Sequence, residues 1–173
     1  MKLTTKGRYA VTSVLDLAFH EDKGPVSLVE ISARQGISLS YLEQLFSRLR
    51  RNNIVVSTRG PGGGYSLARP DSEINMAQII VAVDESYDAT GCGGEGNCTG
   101  DMYQCLTHDL WMELSGEIHE FLSSISLQEM KVRNDVVGVM KRQNTSHESN
   151  QDDNKDNTES ALLKPLDQIT VEQ

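Results

Sequence analysis

The segment Arg59-Gly60-Pro61-Gly62-Gly63-Gly64 constrains the fold of this chain more than any other part of its sequence. Four glycines and a proline within six residues cannot hold a regular helix or strand, so the chain must turn there. Residues 54–58 before the turn are β-branched or small, and residues 65–68 after it also suit an extended strand. The sequence therefore predicts a two-stranded β-hairpin with a glycine-rich tip.

Two short helices are predicted directly before this hairpin. Ser27 and Glu30 have the spacing of a capping box, which opens a helix that ends near Gly36. Ser38 is expected to cap the next helix, over about 39–51, whose apolar residues follow helical spacing at Leu42, Leu45, Phe46 and Leu49. Two short helices with a tight turn between them, followed by a hairpin, indicate a winged helix-turn-helix.

The rest of the chain is predicted to be helical except for one loop and a tail. Apolar periodicity predicts helices at 6–20, 76–83 and 107–123, and from Ser126 to about 141. The fold class is thus mainly α with a small β-hairpin wing. We expect a DNA-binding domain at 1–83, a loop at 84–106, dimerisation helices at 107–142 and a disordered tail at 143–173, because residues 143–160 contain no apolar residue.

Charge is divided unevenly along the chain. The formal net charge is -9, yet residues 1–83 hold ten Lys and Arg against seven Asp and Glu, and residues 84–173 hold six against eighteen. Residues 44–70 contain five arginines and no acid. A basic patch inside an acidic protein is typical of a surface that binds an anionic partner.

The exposed face of the helix at 39–51 carries side chains that can read base edges and phosphates of double-stranded DNA. Glu43 is the one acidic residue of this face. Beside a phosphate it would repel the DNA, and beside the N4 amino group of cytosine it would select that base. Arg59, next to Gly60 at the hairpin tip, is suited to a narrow minor groove. An ordinary solvated helix face is the alternative. The expected contact residues are Ser38, Ser40, Tyr41, Glu43, Gln44, Ser47, Arg48, Arg51, Arg59 and Gly60.

Three cysteines and one histidine form the pattern Cys92-x5-Cys98-x6-Cys105-x2-His108 in a glycine-rich stretch. An odd number of cysteines in one loop argues against a disulfide framework and favours metal binding. Three cysteines and a histidine can bind structural zinc, although the short spacing of zinc knuckles is missing. The same four donors can bind a 2Fe–2S cluster, and free thiols are a third alternative.

Several of these segments together closely resemble the IscR family of iron–sulfur cluster regulators, over residues 1 to about 140. They are the runs Ile37–Phe46, Arg59–Tyr65 and Val83–Ser86, and the Cys/His loop. The gap between Cys98 and Cys105 is one residue longer than in the family pattern, and a glycine-rich loop can absorb this.

The resemblance implies a homodimeric transcription regulator, mainly a repressor of iron–sulfur cluster assembly genes. It implies one 2Fe–2S cluster per chain on Cys92, Cys98, Cys105 and His108, with cluster occupancy altering the preferred DNA sites. The implied partners are promoter DNA, a second copy of the chain, and the iron–sulfur assembly machinery as cluster donor. The dimer would bury Leu114, Ile118, Phe121 and Leu122 of the long helix.

Other function classes receive less support. The sequence holds no run of about 18 apolar residues and no apolar leader segment, so we expect a cytoplasmic protein without a membrane partner. Flavin, nicotinamide and nucleophile motifs are absent from the sequence, so an electron-transfer or redox enzyme is disfavoured. A zinc-stabilised DNA-binding module without a sensing role is the main alternative, and it would be colourless after aerobic purification.

Overall fold

A computed structural model of the chain describes residues 4–86, 88–98 and 103–145. The helices named here are α1 (Thr5–His20), α2 (Leu28–Gln35), α3 (Leu39–Arg51), α4 (Met76–Ala82), α5 (His108–Ser124) and α6 (Leu127–Val132). Residues 134–145 are also helical and are called α7. The strands β1 (Val55–Thr58) and β2 (Gly64–Leu67) pair antiparallel, with Val55 opposite Leu67 and Thr58 opposite Gly64.

Local capping explains where most helices begin. The Ser27 hydroxyl accepts a hydrogen bond from the Glu30 amide, and the Glu30 carboxylate accepts one from the Ser27 amide at 2.8 Å. Helix α2 ends at Gly36, which has the left-handed φ of 64° that glycine tolerates. The prediction for α3 is wrong in one detail, because the Ser38 side chain makes no capping hydrogen bond. This helix is stabilised instead by its apolar face.

One apolar core holds the helix-turn-helix and the wing together. Leu42, Phe46 and Leu49 of α3 are fully buried, as their spacing predicts. The hairpin is attached to this core, since Val26 and Tyr65 exchange two backbone hydrogen bonds of 2.8 Å. The Tyr65 ring also packs edge-on against Phe46, with 4.9 Å between the ring centroids. The wing is therefore fixed to the helices that precede it.

Helices α5 and α6 pack against the same apolar core. Leu127 of α6 is fully buried there, and Leu122 of α5 packs against it. Leu122, which is predicted to be buried between two copies, is thus already partly buried within its own chain, while Phe121 is 64% exposed. The expected single helix from Ser126 to about 141 is also wrong, because the backbone is extended at Arg133.

The first residues of the predicted tail are helical. Residues 143–145 still belong to α7, whose Gln143 amide donates to the Gln35 side chain at 3.3 Å. The remainder of the predicted tail, 146–173, lies outside the described residues. Among the helices that are described, none has the length and apolar character needed to cross a membrane.

Candidate metal centre and nucleic-acid interface

Three of the four predicted ligand side chains meet in the loop before α5. The Sγ atoms of Cys92 and Cys98 lie 3.5 Å apart, and His108 Nδ1 lies 3.6 Å from the first and 3.3 Å from the second. Ligands on one tetrahedral metal are about 3.3–3.8 Å apart, given metal–ligand bonds of about 2.0–2.3 Å. His108 is the first residue of α5 and is buried, so the helix holds its ring in place.

Cys105, the fourth predicted ligand, is not part of this close group. Its thiol lies 3.7 Å from the Thr107 hydroxyl, and its carbonyl accepts from the His108 amide at 3.1 Å. Hydrogen bonds from the Thr107 hydroxyl and amide lower the pKa of Cys105, which favours the thiolate that a metal requires. The chain between Cys98 and Cys105 includes residues 99–102, which are outside the described part.

The two clustered thiols ionise unequally. Burial acts to raise the pKa of Cys92, but hydrogen bonds from Gly96, Cys98 and Gly94 outweigh it and lower that pKa to about 7. The Cys105 backbone favours the Cys98 thiolate, but burial and the hydrogen bond to Cys92 outweigh this and raise the pKa of Cys98. A metal ion binds thiolates, so its binding to this pair displaces protons.

Side chains of α5 hold the loop against the helix. The Ser115 hydroxyl accepts from the Ala89 amide at 2.9 Å, and the Trp111 indole donates to the Thr107 hydroxyl at 3.0 Å. Gly94 and Gly96 have φ values of 83° and 77°, which few other residues adopt. The loop backbone can therefore fold tightly around the sulfur atoms.

The predicted DNA-reading face of α3 is open to solvent. Its buried stripe faces the core, and the opposite side forms a shallow concavity lined by Ser40, Glu43, Gln44, Ser47, Arg48 and Arg51. Ser38 is exposed just before the helix, and Arg59 and Gly60 are exposed at the wing tip. Gly60 has a φ of 105°, so the turn at the tip depends on glycine there.

Two of the predicted contact residues are engaged within the protein. Tyr41 is half-buried, and its ring packs edge-on against Tyr9 with 6.0 Å between the centroids. Arg48 Nη1 lies 2.9 Å from Asp84 Oδ2 and donates to the Val83 carbonyl at 3.1 Å. The sequence predicts no role for Asp84, because its partner Arg48 is far away along the chain and no local pattern indicates the pair.

A winged helix-turn-helix with an exposed polar reading helix defines a DNA-binding transcription regulator. Residues 3–133 match the model of the Rrf2 family, which is described as iron-dependent transcriptional regulators. The chain therefore belongs to the Rrf2 family.

Relatives refine this assignment. The chain is 60% identical over 143 residues to the HTH-type transcriptional regulator IscR of Photorhabdus laumondii, covering 83% of this chain and 87% of the relative. It is 59% identical over 144 residues to a putative HTH-type transcriptional regulator, ORF2, of Azotobacter vinelandii, with the same coverage of 83% and 87%.

Solved structures agree with the sequence relatives. The structure of IscR from T. potens matches with a TM-score of 0.61 at 38% identity, over 75% of this chain and 85% of that one. CymR, the global cysteine regulator of B. subtilis, matches with a TM-score of 0.64 at 30% identity, over 76% of this chain and 96% of that one. The predicted winged-helix fold and the resemblance to IscR regulators are thus confirmed, and the protein is a DNA-binding transcription regulator of the IscR type.

Proposed function

We propose that this regulator senses iron–sulfur clusters. It holds one 2Fe–2S cluster on Cys92, Cys98, Cys105 and His108, and it acts mainly as a repressor of cluster assembly genes. The observation that carries the proposal is the meeting of two thiols and an imidazole in a loop attached to a winged helix. The relatives named IscR and the iron-dependent family description support it.

The donor set fits such a group chemically. When bound, a 2Fe–2S cluster supplies an oxygen-sensitive redox centre whose presence depends on iron supply. Cys92 and Cys105 have lowered pKa values and so offer thiolates readily, while the buried His108 ring offers a nitrogen donor. Cys98 has to lose the proton that it donates to Cys92.

For DNA binding, α3 enters the major groove. Gln44, Ser40 and Ser47 are suited to base edges, and Arg51 to a phosphate or a guanine. A second copy of the chain would place two such helices on a near-palindromic site. Phe121 and Leu114, which are 64% and 40% exposed on α5, are the apolar surface that supports a homodimer.

The proposal also covers partners and location. A cluster has to be supplied by a donor, for which the iron–sulfur assembly machinery is the proposed partner. The proposed location is the cytoplasm. The role is regulatory and not enzymatic.

Anaerobic reconstitution tests the cluster. We expect visible absorbance and about two iron atoms per chain, both lost in Cys92→Ala, Cys98→Ala, Cys105→Ala and His108→Ala. His119→Ala, which removes a histidine of the same helix outside the Cys/His group, is the matched control. Unchanged iron and absorbance in the cysteine variants would refute the proposal. Colourless, zinc-loaded protein after aerobic purification would favour a zinc-stabilised DNA-binding module instead.

Selection from randomised duplexes tests the reading face. Glu43→Ala should relax discrimination and raise affinity for non-preferred sites, because an acid near DNA excludes more sequences than it attracts. Arg59→Ala should weaken binding by about 1–3 kcal/mol at preferred sites if the arginine enters a groove. An even loss over all sequences would make Arg59 a phosphate contact, and an unchanged profile for Glu43→Ala would remove its proposed role. Footprinting with and without the cluster then tests whether occupancy alters site preference.

A further inference from the structure

Arg48 is the residue of the reading face that the protein itself restrains. Its side chain is 34% exposed and lines the same concavity as Gln44 and Arg51. Its Nη1 atom is shared between the Asp84 carboxylate at 2.9 Å and the Val83 carbonyl at 3.1 Å. The guanidinium is thus turned toward the end of α4, at the edge of the face that meets DNA.

Asp84 is held firmly where it meets Arg48. Its φ of 54° lies in the left-handed region, which aspartate and asparagine adopt more readily than other residues with a side chain. The Lys6 ammonium donates to the Asp84 carbonyl at 2.7 Å. The next residue, Glu85, is buried and accepts two hydrogen bonds from Thr4, at 3.0 and 2.6 Å. The Asp84 carbonyl and the residue after it are therefore anchored to the start of α1, while the Asp84 amide donates to the Val81 carbonyl of α4 at 3.0 Å.

The recognition helix is anchored to the same segment. The Asn52 side chain, just after α3, donates to the Ala82 carbonyl at 2.9 Å. Arg48 and Asn52 thus tie the last turn of α3 and the residue that follows it to residues 82–84. The Asp84 carboxylate is 74% exposed, so it projects a negative charge into solvent beside the reading face. A DNA phosphate approaching this edge would meet that charge while the nearest guanidinium is occupied.

We propose that Asp84 is a positioning residue for Arg48, which it holds back from a phosphate contact that Arg48 is otherwise able to make. The inference rests on the proposed role of α3 as the DNA-reading helix. Freeing Arg48 adds one arginine–phosphate contact per chain, and each such contact releases about one condensed counterion from DNA.

The salt dependence of DNA binding tests this directly on the full chain with a short duplex of mixed sequence. Asp84→Asn keeps the side-chain size and tolerates the left-handed φ, and it removes only the charge. We expect tighter binding at low salt, and an additional weakening of about threefold per chain between about 50 and 200 mM salt. Asp84→Gly, which also accepts this φ, should behave in the same way.

Two further variants separate this role from a general charge effect. Asp88→Asn removes a charge from the same stretch, where the carboxylate accepts from the Thr90 amide and the Ser115 hydroxyl instead of an arginine. It should leave the salt dependence near that of the parent chain. Adding Asp84→Asn to Arg48→Gln should not increase DNA affinity at low salt, since Asp84 acts through Arg48.

The outcomes distinguish this inference from the proposed function. Equal salt dependence for Asp84→Asn and the parent chain would overturn it, and so would a full gain in the Arg48→Gln background. Arg51→Ala serves as the test of α3 itself. If Arg51→Ala weakens binding while Asp84→Asn changes nothing, α3 reads DNA and only the positioning role fails. If Arg51→Ala has no effect on DNA binding, the proposed role of α3 as the DNA-reading helix is wrong, and the inference about Asp84 is wrong with it.

Discussion

Gly64, the first residue of β2, shows how closely the wing approaches the helix-turn-helix. A Cβ atom there would lie 2.5 Å from the Val26 carbonyl oxygen and 3.1 Å from the Pro25 carbonyl carbon. No side chain fits without moving that backbone. Close packing therefore requires the glycine at position 64. Gly60 differs, because the turn there requires its positive φ.

Gly64→Ala should therefore lower the free energy of unfolding by about 1–3 kcal/mol, as overpacking of a tight site does. Gly91→Ala is the matched control, because a Cβ at Gly91 meets nothing within 4 Å and its φ is not left-handed. That control should change stability by less than about 0.5 kcal/mol in denaturant unfolding of the metal-free chain. Equal effects of the two variants would contradict the close approach.

Glu85 makes stability depend on pH. Burial acts to raise the pKa of Glu85, but hydrogen bonds from the Thr4 hydroxyl and amide outweigh it and hold that pKa below the ordinary value of 4.5. A group with a lowered folded-state pKa stabilises the fold above its unfolded pKa, and this contribution is lost as the pH falls through the folded pKa.

We expect the melting temperature to fall as the pH drops below 4.5, the ordinary glutamate pKa. Glu30 and Glu129 contribute in the same direction, since the backbone amides of Ser27 and Ser126 lower their pKa values. Glu85→Gln should reduce the steepness of this fall, because it removes one of the groups that must be protonated. An identical pH profile for Glu85→Gln and the parent chain would show that Thr4 does not stabilise the charged carboxylate.

At the scale of elements, two neighbouring helices begin differently although both follow a serine. Ser27 completes a capping box at the start of α2, whereas Ser38 at the start of α3 makes no side-chain capping bond. Ser27→Ala should cost about 1 kcal/mol of stability, as the loss of a side-chain cap does. Ser38→Ala should be nearly neutral in the same thermal unfolding assay, and its effect should appear in DNA affinity. A comparable loss in both variants would contradict the observed caps.

Most elements follow from the sequence within one or two residues of their ends. Helix α3 has the predicted bounds, because a strong apolar stripe lies between Ser38 and Asn52. The sequence does not predict the break at Arg133, since no proline or glycine occurs there and the capping box at Ser126 favours one long helix. Helix α6 contacts α1, and Asn144 of α7 hydrogen-bonds His20 of α1, and local patterns do not encode such tertiary contacts.

At the scale of the whole molecule, the exposed apolar face of α5 is the surface proposed to hold two copies together. Phe121→Glu should shift the chain toward monomer in analytical ultracentrifugation, because it places a charge in an apolar contact. Val132→Glu is the control, since Val132 is 71% exposed on α6 and lies outside the proposed contact. Loss of the dimer should also weaken binding to a near-palindromic duplex. A dimer that persists in Phe121→Glu would assign the interface to another surface.

The features that arise from neighbouring residues can be predicted from the sequence. These are the glycine turn of the wing, the stripe of α3, the capping boxes, and the set of sulfur and imidazole donors at Cys92, Cys98, Cys105 and His108. Each depends on backbone geometry or side-chain chemistry over a few positions, so each leaves a readable pattern.

Which of these groups come into contact depends on the tertiary structure. It brought Cys92, Cys98 and His108 together while Cys105 remained at the edge, turned Tyr41 toward Tyr9, and joined Arg48 to Asp84. The last two contacts link residues more than 30 positions apart. Such contacts form only because the buried core holds distant parts of the chain together. The entropy lost in closing these long loops is offset by the burial of the whole core and not by any local pattern.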